Sequence, residues 1–498
     1  MHTHETATAD TRRTFGVIAV GLASAWLVYP LVAGPLALLR DFWSWAVLCI
    51  GVLVCLRQRS PETMLLPVLA WSLLLAALAN AGQGLVQAYQ LWRHTGISDV
   101  YGLMHQRNQL ATLCLMGLAG AGWVHAQGKA GLVRPAALVL GSVVSLSASR
   151  TGLLGLLLLW GSSEALAVAG GNNSAKALRA ILRWALLGYA LALLPGLVNG
   201  TSPVGILARQ DTQEGVSVCT SRLSLWANVL QLIGQKPWIG WGWGELDYAH
   251  FITLFQGERF CDLLSNAHNL PLHLAVELGI PAAVLFCGLV LLGVWRGRPW
   301  REHSADRLLA WAVLGSVAMH SLLEYPLWYG PFQVNAQLCL WVLLRTPRQS
   351  APGPALARGP WSRTAVRGLQ WAAGVGLLCT VLVAADYYRA SQIYLQPPQR
   401  LGGYREATHQ QIQNALFFQN QIDFAKLGLT EVTVDNAESL HALALKMLHF
   451  SPEAMVVQKL LDSTRLLGRQ DEYDFYQPRF AAAYPDAFFQ WKASQPGE

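Results

Sequence analysis

The chain has 498 residues, of which 53% are hydrophobic and only 13% charged, with 20 Trp and a net charge of +7. A soluble protein of this size carries roughly twice that share of charged residues, so the composition excludes a water-soluble globular enzyme and points to a polytopic membrane protein. The positive charge fits a topological bias of Lys and Arg toward one side of a membrane and calls for no nucleic-acid partner.

A membrane span needs about 20 mostly apolar residues. About eleven stretches qualify: 15–32, 42–56, 64–86, 108–125, 132–148, 151–169, 181–199, 269–294, 307–323, 327–345 and 368–388. The first follows a charged segment ending in Arg12 and Arg13. No small-residue cleavage site follows it cleanly, so it reads as an uncleaved span rather than a signal peptide. With the N-terminus in the cytoplasm, Arg57, Arg59, Arg179, Arg296, Arg298 and Arg301 fall on the inner side, and outer segments hold fewer cations, such as Arg40, Arg93 and Arg209. That bias orients the chain. It puts the loop 200–267 and the tail from residue 391 on the non-cytoplasmic face. The expected fold is all-α: a transmembrane bundle over 1–390, with a large outer loop and a separate helical domain over 391–498.

Polar clusters recur at the outer ends of the spans. The first two are HQRN (105–108) and SASR (147–150). In the outer loop, Ser221 is placed to cap a helix over 221–235. Leu223, Trp226, Leu230 and Ile233 share one side of that helix, which suits it to lie on a bilayer surface. The following KPWIGWGWGELDYAHF sets Gly240, Gly242 and Gly244 between Trp residues, the pattern of a tight backbone beside aromatic rings. No strand precedes these glycines, so they are not a dinucleotide fingerprint. Cys219 and Cys261 are the only cysteines outside the spans. In an oxidising compartment two such thiols commonly pair; two free thiols are the alternative. The loop ends in AHN (267–269), which opens a span with Pro271 in its first turn. HSLLEYPLWY (320–329) bridges two later spans. The segment 346–366 reads as a flexible connector rich in Pro, Gly and Arg. The tail shows helical periodicity over AESLHALALKMLHF, SPEAMVVQKLLDSTRLLG and RQDEYDFYQPRFAAAYP, with the rhythm of a tetratricopeptide unit.

Polar groups at membrane depth are costly and tend to be functional. Arg150 and Arg222 can clamp phosphate through a planar fork. The plain alternatives are a snorkelling lipid-phosphate contact for Arg150 and a solvated loop charge for Arg222. Gln106, Arg107 and Asn108 suit sugar hydroxyls or phosphate, or simple interfacial anchoring. His268 is the candidate general base, since imidazole removes a hydroxyl proton near neutral pH; otherwise it only bonds the loop backbone. Asn269 beside it is a candidate sugar-binding group. His320 and Glu324 are four residues apart, but no H-E-x-x-H signature accompanies them, so neither a metal nor another cofactor is expected. Glu324 fits better as a group that orients a neighbour or pairs with an Arg.

At YGLMHQRNQLA, SLSASRTGLL, SRLSLWANVLQLIGQKPWIGWGWGE, NAHNLPLHLAVELGIP and HSLLEYPLWY, the chain resembles the PglL/PilO-type bacterial protein O-oligosaccharyltransferases of the O-antigen ligase and Wzy polymerase superfamily. The resemblance covers about residues 100–490. It implies metal-independent transfer of a glycan from an undecaprenyl-diphosphate carrier to Ser or Thr hydroxyls of a pilin or other periplasmic protein. The site would face the periplasm from the bacterial inner membrane. By resemblance the essential His falls on His268, the Gln on Gln106 and the Tyr on Tyr325, with Tyr329 close behind. The diphosphate-binding arginines fall on Arg150 and Arg222. The chemistry agrees. Arginines can neutralise a departing diphosphate without a metal, and a weak hydroxyl nucleophile gains from a positioned base. Direct displacement inverts the anomeric carbon and requires base and cations on opposite sides of the sugar. The rivals are an O-antigen ligase acting on lipid A-core and a non-enzymatic transporter of lipid-linked sugars, which should keep polar groups deep within its spans.

Overall fold

The computed structural model describes residues 14–28, 34–57, 64–93, 99–170, 172–199, 218–348 and 362–495. Arg12, Arg13, Arg209, the end of the first apolar stretch and most of the connector 346–366 lie outside the described residues. Among those described there is no strand, and the chain is a helical, multi-pass membrane protein. In chain order the helices are α1 (Thr14–Ser24), α2 (Leu39–Cys55), α3 (Leu65–Trp92), α4 (Arg107–Ala126), α5 (Ala130–Leu146), α6 (Arg150–Gly170) and α7 (Asn173–Asn199). Next come α8 (Arg222–Gln235), α9 (Leu246–Ile252), α10 (Leu270–Leu278), α11 (Ile280–Gly297), α12 (Ala305–Ser321), α13 (Gly330–Arg345) and α14 (Arg363–Ser391). The tail supplies α15 (Gln419–Leu429), α16 (Ala437–Leu448), α17 (Ala454–Leu466), α18 (Gln470–Ala483) and α19 (Pro485–Ser494), with shorter turns between.

Each of the expected apolar stretches carries helix. Among the described residues, 6 helical segments are both long and apolar enough to cross a membrane: Gly34–Cys55, Leu65–Trp92, Arg150–Val168, Asn173–Leu194, Ile280–Arg301 and Arg363–Tyr394. One expected span is corrected. The stretch 269–294 is not one helix but α10 followed by α11, broken at Gly279 with φ +88°. Hydropathy alone does not see the break, because both pieces are apolar.

The chain divides into two compact units, Met1–Glu214 with Gly293–Ala384, and Gly215–Leu292 with Ala385–Glu498. In the first, α4 is the central helix. Every residue from Gln109 to Gly122 is buried, the signature of a helix apolar all round. It packs against α3, α5, α6, α7 and α12. Lipid gives two helices no hydrophobic reason to associate, so close contact comes from small residues. α5 and α7 show this. A Cβ added at Gly141 would overlap the carbonyl of Ala185, and one at Gly188 the carbonyl of Leu138. Ser142 Oγ also donates to the Gly188 carbonyl at 3.0 Å.

In the second unit, Leu225, Val229, Leu232 and Ile233 of α8 pack on Phe260, Leu264, Leu274 and Val276. The predicted stripe of α8 is therefore rotated. Leu223 and Leu230 are exposed, and Trp226 is half-buried. Both faces of α8 are apolar, so the sequence does not distinguish them. In the tail, α16, α17 and α18 enclose Leu440, Met447, Val456, Leu460 and Phe480, and Phe251 of α9 joins that core. Arg479 donates to the Ile252 carbonyl at 2.7 Å.

The α5–α7 contact yields a matched test. Gly188→Ala forces a methyl into backbone, an overpacking cost of about 1–3 kcal/mol, and should lower the melting temperature of the purified protein. Gly161→Ala in α6, where a Cβ meets nothing within 4 Å, should leave it unchanged.

Candidate active site

Four of the polar clusters share one local design, which HSLLEYPLWY lacks. In each, a side chain just before a helix accepts the N–H of the third helical residue. Gln106 accepts from Gln109 at 2.6 Å, Ser149 from Gly152 at 2.9 Å, Ser221 from Ser224 at 3.1 Å and Asn269 from Leu272 at 3.0 Å. Three of these caps follow a non-glycine residue with left-handed backbone: His105, Ala148 and His268, at φ 53°, 52° and 50°. That conformation costs about 1–2 kcal/mol, and a cap returns about 1 kcal/mol. The turns are sharp and held by their caps. In three clusters the first helical residue is an arginine: Arg107, Arg150 and Arg222. Unpaired N–H groups and the helix dipole at such ends favour phosphate, and an arginine there adds to that preference.

In the first unit, α4 and α6 start side by side. Ser149 Oγ donates to Asn108 Oδ1 at 2.7 Å, and Asn108 Nδ2 donates to Glu324 Oε1 at 3.2 Å. Glu324 therefore orients Asn108. It lies just past the end of α12 but stays in the turn of His320, as the spacing suggests, its N–H donating to the His320 carbonyl at 2.8 Å. His320, buried in α12, pairs instead through Nδ1 with Thr112 Oγ1 at 3.0 Å. Arg107 pairs with Asp99 at 3.1 Å. Arg150 is exposed and forms no ion pair among the described residues. Tyr325 and Tyr329 stack with ring centroids 5.7 Å apart.

Four residues of this unit escape the sequence reading. Arg40, only 4% exposed, lies 4.7 Å from the centre of the Tyr329 ring and forms two 3.1 Å bonds with Asp41. Asp41 accepts the Gly330 N–H at 2.6 Å. Gln87 accepts the N–H groups of Tyr101 and Gly102 at 3.0 and 2.7 Å, and Asn80 accepts that of Leu103 at 3.0 Å. Buried amides inside α3 thus hold the turn that leads into Gln106. Their signal was available: ionisable and amide groups inside or beside apolar stretches.

The second unit holds Arg222, His268, Asn269 and the Cys219–Cys261 disulfide, which closes the expected pair. His268 is fixed from both sides. Its N–H donates to Asn266 Oδ1 at 2.9 Å, and the preceding carbonyl, of Ala267, accepts Trp226 Nε1 at 3.0 Å. Trp226 belongs to the helix that begins with Arg222, so one indole ties the two candidate residues together. Nearby, Asn228 Oδ1 accepts the Phe260 N–H at 2.8 Å and lies 3.2 Å from His250 Nε2. Arg259 stands 3.2 Å from His250 Nδ1. An arginine can only donate, so Nδ1 presents its lone pair and Nε2 carries the proton. Burial, then Arg259, pushes His250 down to about 2. It stays neutral and is structural. Burial pushes Asp247 up to about 7.

Two family models match the chain: "O-Antigen ligase" over residues 135–287, and "Virulence factor membrane-bound polymerase, C-terminal" over 308–496. Over these two stretches the chain is similar to the O-antigen ligase superfamily. The first match spans Arg150, Arg222, His268 and Asn269; the second spans His320, Glu324, Tyr325 and Tyr329. Gln106, Arg107 and Asn108 lie outside both. The chain is 24% identical over 307 residues to a general O-oligosaccharyltransferase of Acinetobacter baylyi, covering 59% of this chain and 51% of that protein. It is 27% identical over 124 residues to the ComP-specific O-oligosaccharyltransferase of the same organism, covering 25% and 22%. It is 29% identical over 263 residues to an O-antigen ligase of Pseudomonas aeruginosa, covering 50% and 56%. The chain thus spans about half or less of the length of each of these relatives.

The raised Asp247 carboxyl makes a pH-dependent prediction. Its folded-state pKa of about 7 lies above that of an unfolded Asp, near 4. Ionisation therefore opposes folding. The penalty is absent below about pH 4, grows to about pH 7 and is constant above. Asp247→Asn should raise the melting temperature at pH 8 and leave it unchanged at pH 4.

Proposed function

We propose that this protein transfers a glycan en bloc from a polyprenyl-diphosphate carrier, of the undecaprenyl type, to Ser or Thr hydroxyls of a pilin or other periplasmic protein. One observation carries the reading: capped helix N-termini that begin with Arg107, Arg150 and Arg222, a form suited to phosphate, together with His268 at the turn before a fourth. The names of the two Acinetobacter relatives support the reaction class.

In this reading Arg150 and Arg222 neutralise the diphosphate as it leaves, and His268 removes the proton from the acceptor hydroxyl. Asn269, as cap of α10, aligns that turn. Gln106, Arg107 and Asn108 bind sugar or phosphate oxygens, and the stacked Tyr325 and Tyr329 offer an aromatic face to a sugar ring. His320 and Glu324 support that wall through Thr112 and Asn108. The membrane is the bacterial inner membrane, with the site on its periplasmic face, and the tail helices are a tetratricopeptide-like docking surface for the acceptor. The domain division follows the same reading: 1–390 catalytic, 391–498 docking.

A second reading rests on the Pseudomonas relative, named O-antigen ligase: the acceptor is lipid A-core. A deletion strain separates the two. Loss of glycan from a pilin with unaltered lipopolysaccharide supports the protein acceptor; the reverse supports the lipid.

The residue roles are tested with purified variants and saturating lipid-linked donor. His268→Ala should lower transfer by about 10²- to 10⁴-fold, the range for a general base. His268→Gln should not restore it, because an amide cannot take up the proton; substantial transfer by this variant refutes the base. Arg150→Lys and Arg222→Lys keep the charge but lose the fork, and each should lower transfer by about 10²-fold.

A further inference from the structure

The second unit presents an apolar surface that its own side chains leave uncovered. On the side of α8 away from its core, Leu223 and Leu230 are 77% and 56% exposed. The helix runs into Pro237, Trp238 and Ile239, and the last two are 75% and 81% exposed. The backbone holds this run outward. Ile280 donates to the Pro237 carbonyl at 2.8 Å, Trp241 to that of Val276 at 2.9 Å and Gly242 to that of Glu277 at 2.9 Å. Gly240 and Gly279, at φ +68° and +88°, let the two segments touch; a Cβ on either would overlap the opposing backbone. Trp241 is turned inward, its Nε1 donating to the Leu232 carbonyl at 3.0 Å and its ring 4.0 Å from the Lys236 ammonium. Turning Trp238 and Ile239 inward would break these bonds.

What covers them follows from what the run is bonded to. Ile280 is the first residue of the apolar segment Ile280–Arg301, long enough to cross a membrane. Val284, Leu285 and Leu289 on its early turns are 64%, 64% and 59% exposed, and in a membrane protein such side chains face lipid. The hydrogen bond from Ile280 to Pro237 fixes Trp238 and Ile239 at the level where that helix enters the bilayer. Trp is enriched at this level, and a neighbouring Lys such as Lys236 suits the lipid phosphates there.

We propose that Trp238 and Ile239, with the exposed side of α8, are seated in the interfacial layer of the phospholipid bilayer. The partner is the lipid surface: acyl chains against Trp238 and Ile239, headgroups against Lys236. The loop unit then rides on the membrane at a fixed height instead of standing in water. This contact is independent of the catalytic reading. Its consequence, that Arg222 and His268 are kept near headgroup level where a lipid-borne diphosphate lies, rests on that reading.

The test uses the unmodified full chain in nanodiscs of phosphatidylethanolamine and phosphatidylglycerol. A fraction of the phospholipid carries a diazirine on its acyl chain, and adducts are mapped by mass spectrometry after irradiation. Val284 and Leu285 serve as lipid-facing references, and the exposed Phe489 of the tail as a water-facing one. Adducts on Trp238 or Ile239 at a yield comparable with Val284 and Leu285 are expected. Labelling of Val284 and Leu285 without labelling of Trp238 and Ile239 overturns the proposal. In that case hydroxyl-radical oxidation of Trp238 identifies the true environment: rapid oxidation means water, and protection means a protein partner.

Discussion

Four hydrogen bonds from the third residue of a helix back to its cap hold the candidate chemistry of this chain in place. Each fixes a turn at the point where polar backbone meets an apolar helix. In water such a turn has many alternatives. At a membrane boundary it has few, because unsatisfied N–H groups are expensive there. The cap answers the backbone, a left-handed residue before three of the four turns the chain sharply, and in three the first helical position is an arginine. His105, Ala148 and His268 are strained for their residue types, and strain of this kind persists only where the surroundings enforce it. Here the enforcers are visible: Gln87 and Asn80 behind the first turn, Asn108 beside the second, Asn266 and Trp226 around the third.

The membrane helices supply the rigidity these turns need. α4 has no lipid face along its central run, and it anchors both Gln106 at its start and Thr112 against His320 within it. The wall near Tyr329 depends on a buried ion pair, Arg40 with Asp41, whose carboxylate also captures the Gly330 N–H. Removing one partner of such a pair strands a buried charge, at a cost of about 3–5 kcal/mol. Arg40 and Asp41 therefore support Tyr329 and the start of α13 even though neither lies in a recognised motif.

Much of this was legible in the sequence because it is local. The cap at Ser221, the tight backbone at Gly240, Gly242 and Gly244, and the expected pairing of Cys219 with Cys261 follow from neighbouring residues or from the cysteines' place outside the spans. The features that were not legible depend on tertiary partners. The inward face of α8 is set by Phe260 and Leu264, far along the chain, and α8 is apolar on both sides. The break at Gly279 is set by the approach of Trp238, which hydropathy does not register. Glu324 shares the turn of His320, as its spacing indicates, but its bond to Asn108 joins residues 216 positions apart. Arg40 looked like an ordinary loop cation until Tyr329 was placed beside it.

The central claim is that His268 as base and helix-end arginines perform one direct displacement at the anomeric carbon. Its most direct test is the configuration of the sugar–acceptor bond made by the purified protein from a polyprenyl-diphosphate donor of known anomeric configuration, read by NMR of the isolated glycopeptide. A single displacement inverts the configuration. Retention would require a covalent glycosyl-enzyme intermediate, and would contradict both the role of His268 and the account built on it.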